Sequence, residues 1–266
     1  TGPRRDVWFD HVAVRRGENI GTIARRERVA VEDLLRWNRL TPKSRIHAGD
    51  RLIIERAGPK PPAASIGRAG GGSLRHGVWL DRGTGYRLRF PRNAFGTEHV
   101  IGVLRRCSRH VHDIFPGTAD ILIGDISRPG GGRFPPHASH QSGRDADVGY
   151  YLVNNEQNAT MHVVRPDGVD YRKTWALLRC YLRTGSVVRV YIDRGIQRGM
   201  VAWLRAKKVV DDAMLQRLFE VEGGKDALIH HARRHDTHMH VRFACQPGDE
   251  ACQHESNESP WPAREP

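Results

Sequence analysis

No stretch of this chain approaches the roughly 18 apolar residues that a membrane-spanning helix needs, so no transmembrane segment is expected. The chain opens TGPRRDVW, without the apolar core of a signal peptide. A leader is read as removed before residue 1, or as not encoded in this stretch. Cysteine is scarce, with four in 266 residues and none in a CxxC pair, which argues against a thiolate zinc knuckle. Cys245 and Cys252 flank QPGDEA, whose Pro-Gly marks a turn. A disulfide closing that loop is expected, and with it an oxidising compartment. Cys107 and Cys180 remain a second pair that sequence alone does not join. Acidic residues are in deficit, 30 against 43 basic, for a net charge of +13. Such a surface draws polyanions: nucleic acid, anionic lipid or carboxylate-rich wall polymer. The arginines form no block and no nucleic-acid motif accompanies them, so a nucleic-acid partner is not expected.

What is present falls into three parts. Residues 11–14 alternate as a strand, IGTIARRERV and VEDLLRWNRL each place apolar side chains on one helical face, and residues 51–54 close with a second strand. The order is βααβ, over residues 8–56. V-x-x-G-E-N-I-x-x-I-A, L-x-x-W-N-x-L and I-x-x-G-D-x-L-I-I resemble LysM modules in both turn and core positions. The resemblance implies binding of N-acetylglucosamine-containing glycan, with residues 17–20 and 37–40 lining the sugar groove. Asn38 is read as a turn stabiliser. Residues 57–76 are rich in Pro, Gly and Ala without periodicity and read as a linker.

Residues 77–262 read as a second unit. Helical spacing occupies 97–115, 171–184, 196–207 and 211–220, and strand-like stretches occupy 121–127, 145–153, 187–193 and the segment from 238. Without a steady βαβ rhythm, the class is α+β. Gly130 to Gly132 lack a following Gly-Lys-Ser/Thr, so they are a turn shaping the cleft floor and not a phosphate loop.

Histidine is clustered. His137 and His140 lie in PPHASHQSGRDADVGYY, while His230, His231, His235, His238 and His240 lie in ALIHHARRHDTHMHVRF. His238 and His240 are two apart on an expected strand and share a face. A Gly-containing turn can return the chain from His140 to Asp147. Two imidazoles and a carboxylate suit zinc, with the fourth position left to water. Spacing leaves Asp145, on the same strand face, as a rival to Asp147. Arg144 and Arg242 are read as paired surface arginines flanking the site. Tyr150 and Tyr151 are read as core.

H-A-S-H-Q-x-G-R-D-A-D-V-G-Y-Y and H-D-x-H-M-H-V-R, with SRPGGGRFPPH upstream, resemble the penicillin-insensitive murein endopeptidases of the LAS group of zinc peptidases. The likeness spans residues 82–261. It implies a LAS-type domain with a central, mainly antiparallel sheet flanked by helices. It also implies one zinc ion per chain on His140, Asp147 and His240. His238 then serves as base or as stabiliser of the tetrahedral intermediate, with His137 and His235 orienting ligands or stabilising the oxyanion. The implied reaction is hydrolysis of the D-alanyl to meso-diaminopimelyl amide of peptidoglycan cross-links by zinc-activated water, in the periplasm or after secretion. Carboxypeptidase action on stem peptides, L-Ala-D-Glu cleavage, and a non-catalytic LysM-anchored wall binder are the competing readings. Some relatives carry a further Asp and His for another metal. No such spacing occurs between Val148 and Lys208, and His162 is read as loop surface.

Overall fold

The computed structural model describes residues 7–224, 226–255 and 261. Two compact units divide between Ala63 and Ala64.

In the first unit, β1 (Val7–Ala13) pairs antiparallel with β2 (Arg51–Ala57), and α1 (Ile20–Glu27) and α2 (Val31–Asn38) lie between them in sequence. Asn19 starts α1 with a capping box: its Oδ1 accepts from Thr22 N–H at 2.9 Å, and Thr22 Oγ1 accepts from Asn19 N–H at 2.8 Å. Ile23, Ala24, Leu34, Leu52 and Ile54 form a small separate core. Asn38 ties the end of α2 to β2. Its Nδ2 donates to Leu34 O (2.8 Å) and Ile53 O (2.9 Å), and its Oδ1 accepts from Ile53 N–H (2.6 Å). A surface groove is lined by Glu18 to Gly21 on one side and by Pro42 and Ser44 to His47 on the other. The first wall overlaps the expected 17–20. The second is not 37–40, because that stretch is committed to the helix end and to packing of Trp37 and Leu40 on the core.

The expected linker is shorter than its composition suggests. β3 (Ala64–Arg68) and β4 (Gly71–Arg75) form an antiparallel hairpin within the second unit. Low complexity hid it because its glycines permit backbone-to-backbone packing. Gln141 N–H donates to Ala69 O (3.1 Å), Leu74 N–H to Gly130 O (3.1 Å) and Gly67 N–H to Ala251 O (2.7 Å).

Beyond the hairpin, the elements are β5 (Val78–Trp79), β6 (Tyr86–Leu88), β7 (Phe95–Gly96), α3 (Glu98–Ile114), β8 (Ile121–Ile123), β9 (Asp145–Val148), α4 (Tyr171–Leu182), β10 (Val187–Tyr191), α5 (Arg194–Ala206), α6 (Asp212–Leu218), β11 (Ile229–His230) and β12 (Met239–Phe243). The six-stranded sheet runs β11-β10-β12-β9-β8-β6, antiparallel at its three central pairings and parallel at both edges. The class is therefore α+β, as the mixed pattern predicts.

Helix α3 begins at the Thr97 cap and buries Val100, Ile101, Val103, Leu104, Cys107 and Val111, the i, i+3, i+4, i+7 stripe of a core-facing helix. These join Leu177, Leu178 and Tyr181 of α4, Ile196, Met200 and Leu204 of α5, and Ala146, Val148, Met239, Val241 and Phe243 of the sheet. Each fully buried apolar side chain contributes about 1.5–3 kcal/mol. Cys107 is bonded to Cys180, joining α3 to α4, and Cys245 to Cys252 across the expected turn.

Candidate metal centre

Strand alternation places alternate residues of β9 and β12 in the core and the rest on the opposite face. Asp145 and Asp147 of β9 share that face with His240 and Arg242 of β12. The antiparallel register sets His240 directly opposite Asp147, and Arg242 opposite Asp145. Facing pairs of this kind have Cβ atoms about 4.5–5.5 Å apart, so their side chains meet.

His140 enters from the preceding loop. Its backbone is left-handed, with φ of 64°, a region that non-glycine residues seldom adopt. The fastenings around it are numerous. Its own N–H donates to Asp145 Oδ2 at 2.8 Å, and the next residue is bonded to the hairpin. Gly131 makes this close packing possible, because a Cβ there would lie 2.0 Å from Gln141 O. The Gly130–Gly132 run has positive φ throughout. It is a turn, as expected, and it packs beneath the residues that carry His140.

Three donor atoms converge. His140 Nε2 lies 3.1 Å from Asp147 Oδ1, His240 Nδ1 lies 3.2 Å from the same oxygen, and the two nitrogens are 3.2 Å apart. Zinc bonds of about 2.0–2.1 Å in a tetrahedron put neighbouring ligand atoms about 3.3–3.4 Å apart. The triangle therefore has nearly the edge a tetrahedral ion requires. All three residues are buried, and Asp147 Oδ1 has no hydrogen bond. A buried polar atom left so costs about 1–3 kcal/mol, which a cation at the centre would offset. The residues fit the metal.

Surrounding groups orient this triangle. His140 Nδ1 is 3.0 Å from Ile126 O, and His240 Nε2 is 3.2 Å from Asp145 Oδ1. His140 thus has its outer nitrogen hydrogen-bonded, that of His240 faces the Asp145 carboxylate as an ion pair without a hydrogen bond, and the inner nitrogens point into the triangle. Asp145, the rival ligand by spacing, is the outer partner. It accepts from Arg242 Nε at 2.7 Å and lies outside the triangle. Burial would raise the Asp147 carboxyl, but the His140, His238 and His240 imidazoles together outweigh it and hold the group well below the usual carboxylate range. Asp145 is likewise held well below, with Arg242, His240 and His140 together outweighing burial. Burial lowers His240, yet Asp145 and Asp147 together raise it to about 9.

The remaining histidines border the triangle. His238 Nε2 lies 3.4 Å from Asp147 Oδ1, and its Nδ1 lies 2.6 Å from Thr237 Oγ1. The His235 ring is 5.0 Å from that of His238. Burial, then the nearby His238 and His240, lowers His235 to about 4. His137 Nε2 is 2.9 Å from Asp125 Oδ2, and its Nδ1 is 3.9 Å from Asp147 Oδ2. One donor atom from each of His137, His140 and Asp147 lies within 4.8 Å of the others. His240 fits the third corner better, because its nitrogen matches the tetrahedral edge and that of His137 does not. His230 and His231 turn instead toward Glu220 and Asp193. His162 is exposed on a loop, as expected.

One expectation, that of paired surface arginines, needs correction. Arg144 and Arg242 are not surface residues: both are buried. Arg144 donates to Phe243 O (2.7 Å) and Gln253 O (2.9 Å), so its charge fastens backbone carbonyls, while Arg242 compensates Asp145. Arg144 reaches the strand end at Phe243 and the residue after the disulfide loop, and Arg242 lies opposite Asp145 in the sheet, placements that spacing does not reveal. Tyr150 and Tyr151 are core residues, and the Tyr150 hydroxyl also donates to His235 O (2.7 Å) and His238 O (3.0 Å). Sequence reasoning missed Asp125, Asn93, Thr237 and Tyr191. Asp125 carried a signal, being a carboxylate just past the buried apolar run of β8. Tyr191 faces His240 across β10 and β12, with ring centres 5.5 Å apart.

A donor set of this composition, on a sheet of this kind, suits a metal-dependent hydrolytic enzyme. The family described as penicillin-insensitive murein endopeptidase matches residues 65–262, and the chain belongs to it. The match begins inside the β3–β4 hairpin, in accord with its place in the second unit. The LysM domain family matches residues 12–55. A penicillin-insensitive murein endopeptidase of Haemophilus influenzae is 26% identical over 201 residues, 68% of this chain and 62% of the relative. One from Klebsiella pneumoniae is 26% identical over 197 residues, 66% and 64% respectively. One from Yersinia pestis is 26% identical over 179 residues, 60% and 58%. The chain thus spans about three fifths of the length of these curated relatives.

Proposed function

We propose that this protein is a zinc-dependent peptidoglycan endopeptidase that hydrolyses the D-alanyl to meso-diaminopimelyl amide of peptide cross-links, with zinc held by His140, Asp147 and His240. The observation that carries the reading is the buried triangle of 3.1–3.2 Å edges with an unsatisfied carboxylate oxygen at one corner. Family membership supports the substrate class. A zinc ion there would supply Lewis acidity, polarising a carbonyl and lowering the pKa of water in its fourth position to roughly 7.

The chain's own groups do the rest. His238 Nε2 stands 3.4 Å from Asp147 Oδ1, beside the residues that would hold the ion. In the tautomer that donates from Nδ1 to Thr237 Oγ1, 2.6 Å away, Nε2 presents a lone pair. It takes a proton from the attacking water and delivers it to the leaving amine. Lowered to about 4, His235 stays neutral at physiological pH and adds bulk and polarity without charge. His137 borders the triangle, held by Asp125 at 2.9 Å.

The first unit would hold N-acetylglucosamine glycan in the groove between residues 18–21 and 42–47 while the second cuts peptide. Two disulfides favour an oxidising compartment, periplasmic or outside the cell. A net charge of +13 favours a carboxylate-rich polymer over a neutral one.

Mass spectrometry of muropeptides digested with and without chelator tests the reading. Cross-linked dimers should fall to monomers only without chelator, with zinc near one equivalent per chain. His140→Ala or Asp147→Ala should give folded, nearly metal-free, inactive protein. Full zinc occupancy with no new amine released from peptidoglycan would refute it.

A further inference from the structure

We propose that Asp125 is a positioning residue of this site, holding the His137 imidazole by Nε2 and so aiming Nδ1 into the space beside Asp147. The inference rests on the reading of this cluster as a hydrolytic centre. Neither the sequence motifs nor family membership singled out Asp125.

Both carboxylate oxygens of Asp125 are engaged. Oδ2 lies 2.9 Å from His137 Nε2, and Oδ1 accepts from Asn93 Nδ2 at 2.6 Å. With two oxygens tied to different elements, the carboxylate cannot swing away. The backbone is tied equally firmly. Asp147 N–H donates to Asp125 O (2.9 Å) and Gly124 N–H to Asp147 O (2.8 Å), while Ile126 and Ser127 N–H both donate to Asn93 O (2.9 and 3.0 Å). Asp125 therefore lies between the ligand Asp147 and Ile126, whose carbonyl meets His140 Nδ1.

A histidine that can rotate about its ring torsion presents either nitrogen to a site. A carboxylate on one nitrogen removes that choice and fixes the tautomer. Here Nδ1 is the inward atom, 3.9 Å from Asp147 Oδ2. That separation exceeds the tetrahedral edge of about 3.3–3.4 Å, and His137 is 23% exposed where His140 is 1%. The ring therefore lies at the more exposed edge of the cluster. Phe134 packs on it at 4.9 Å and completes the cradle.

Imidazole NMR of full-length, metal-free, 15N-histidine-labelled protein tests the placement without substrate. His137 Nε2 should carry a hydrogen-bonded proton, and Asp125→Ala should abolish that signal. With zinc restored, Asp125→Ala should lower kcat on a cross-linked muropeptide roughly 10–100-fold, with KM and zinc content within about twofold of the parent. Asn93→Ala, which keeps the carboxylate but frees one oxygen, should shift both readouts in the same direction by less. It serves as the test if Asp125→Ala does not fold. A His137 ring protonated only at Nδ1, or a variant with parental kcat, overturns the proposal. Failure to cleave peptidoglycan would instead sink the substrate reading and leave the NMR result standing.

Discussion

His140 sits at a positive φ that costs free energy, and the surrounding bonds exist to hold it there. Asp145 supplies the main one, because a single carboxylate touches the His140 amide, the outer nitrogen of His240 and the Arg242 guanidinium. Asp145→Ala removes the carboxylate that compensates a buried cation. It should destabilise the fold by about 3–5 kcal/mol in urea titration and also weaken zinc binding. Asp147→Asn, by contrast, should abolish metal binding with far less effect on the urea midpoint. The pH response of His235 has a definite sign. Its folded value is lowered to about 4 from an ordinary 6.5, so between these values the unfolded chain binds more protons. This group's contribution to metal-free stability is present above pH 6.5 and is lost as pH falls towards 4. Urea midpoints of the metal-free protein at pH 7, 5.5 and 4.5 should decline in that order, and less steeply in His235→Gln.

At the scale of elements, the centre depends on two strands in one register and a loop pinned from outside. A one-residue slip of β12 against β9 would turn His240 and Arg242 into the core. Met239, Val241 and Phe243, which bury the other face, oppose that slip. The β3–β4 hairpin pins the loop. Gly131→Ala combines a φ of 66° with a Cβ placed 2.0 Å from Gln141 O. It should cost about 1–3 kcal/mol and lower zinc affinity, as equilibrium dialysis would show, because the loop it displaces carries His140. The Cys107–Cys180 bond spans 73 residues and joins the two helices that carry much of the core. Replacing both cysteines by alanine should cost up to about 4 kcal/mol through a freer unfolded chain, read as a lower urea midpoint in non-reducing buffer. The hairpin was missed because a Gly-rich stretch has little hydrophobic pattern. Helices α3, α4 and α5 were legible because their buried faces recur at helical spacing.

At the scale of the whole molecule, two units with separate cores share one chain. If the first unit serves to concentrate the second on glycan, its loss matters only where glycan is present as a polymer. Removing residues 1–63 should slow release of amines from insoluble sacculi several-fold and leave the rate on soluble muropeptide dimers unchanged. Equal slowing of both would place the first unit in the chemistry. The sequence by itself determined the α+β class, the βααβ order of the first unit and the two histidine clusters, because periodicity, turn residues and side-chain type are local properties. Alternation puts Asp145 and Asp147 on one face and the family resemblance favoured Asp147, but only the tertiary structure gave each its partner, His240 opposite Asp147 and Arg242 opposite Asp145. It alone buried Arg144 and Arg242, and it alone brought Asp125 and Asn93 to His137. Contacts made 12 to 109 residues apart are set by strand register and loop closure, which no local pattern encodes.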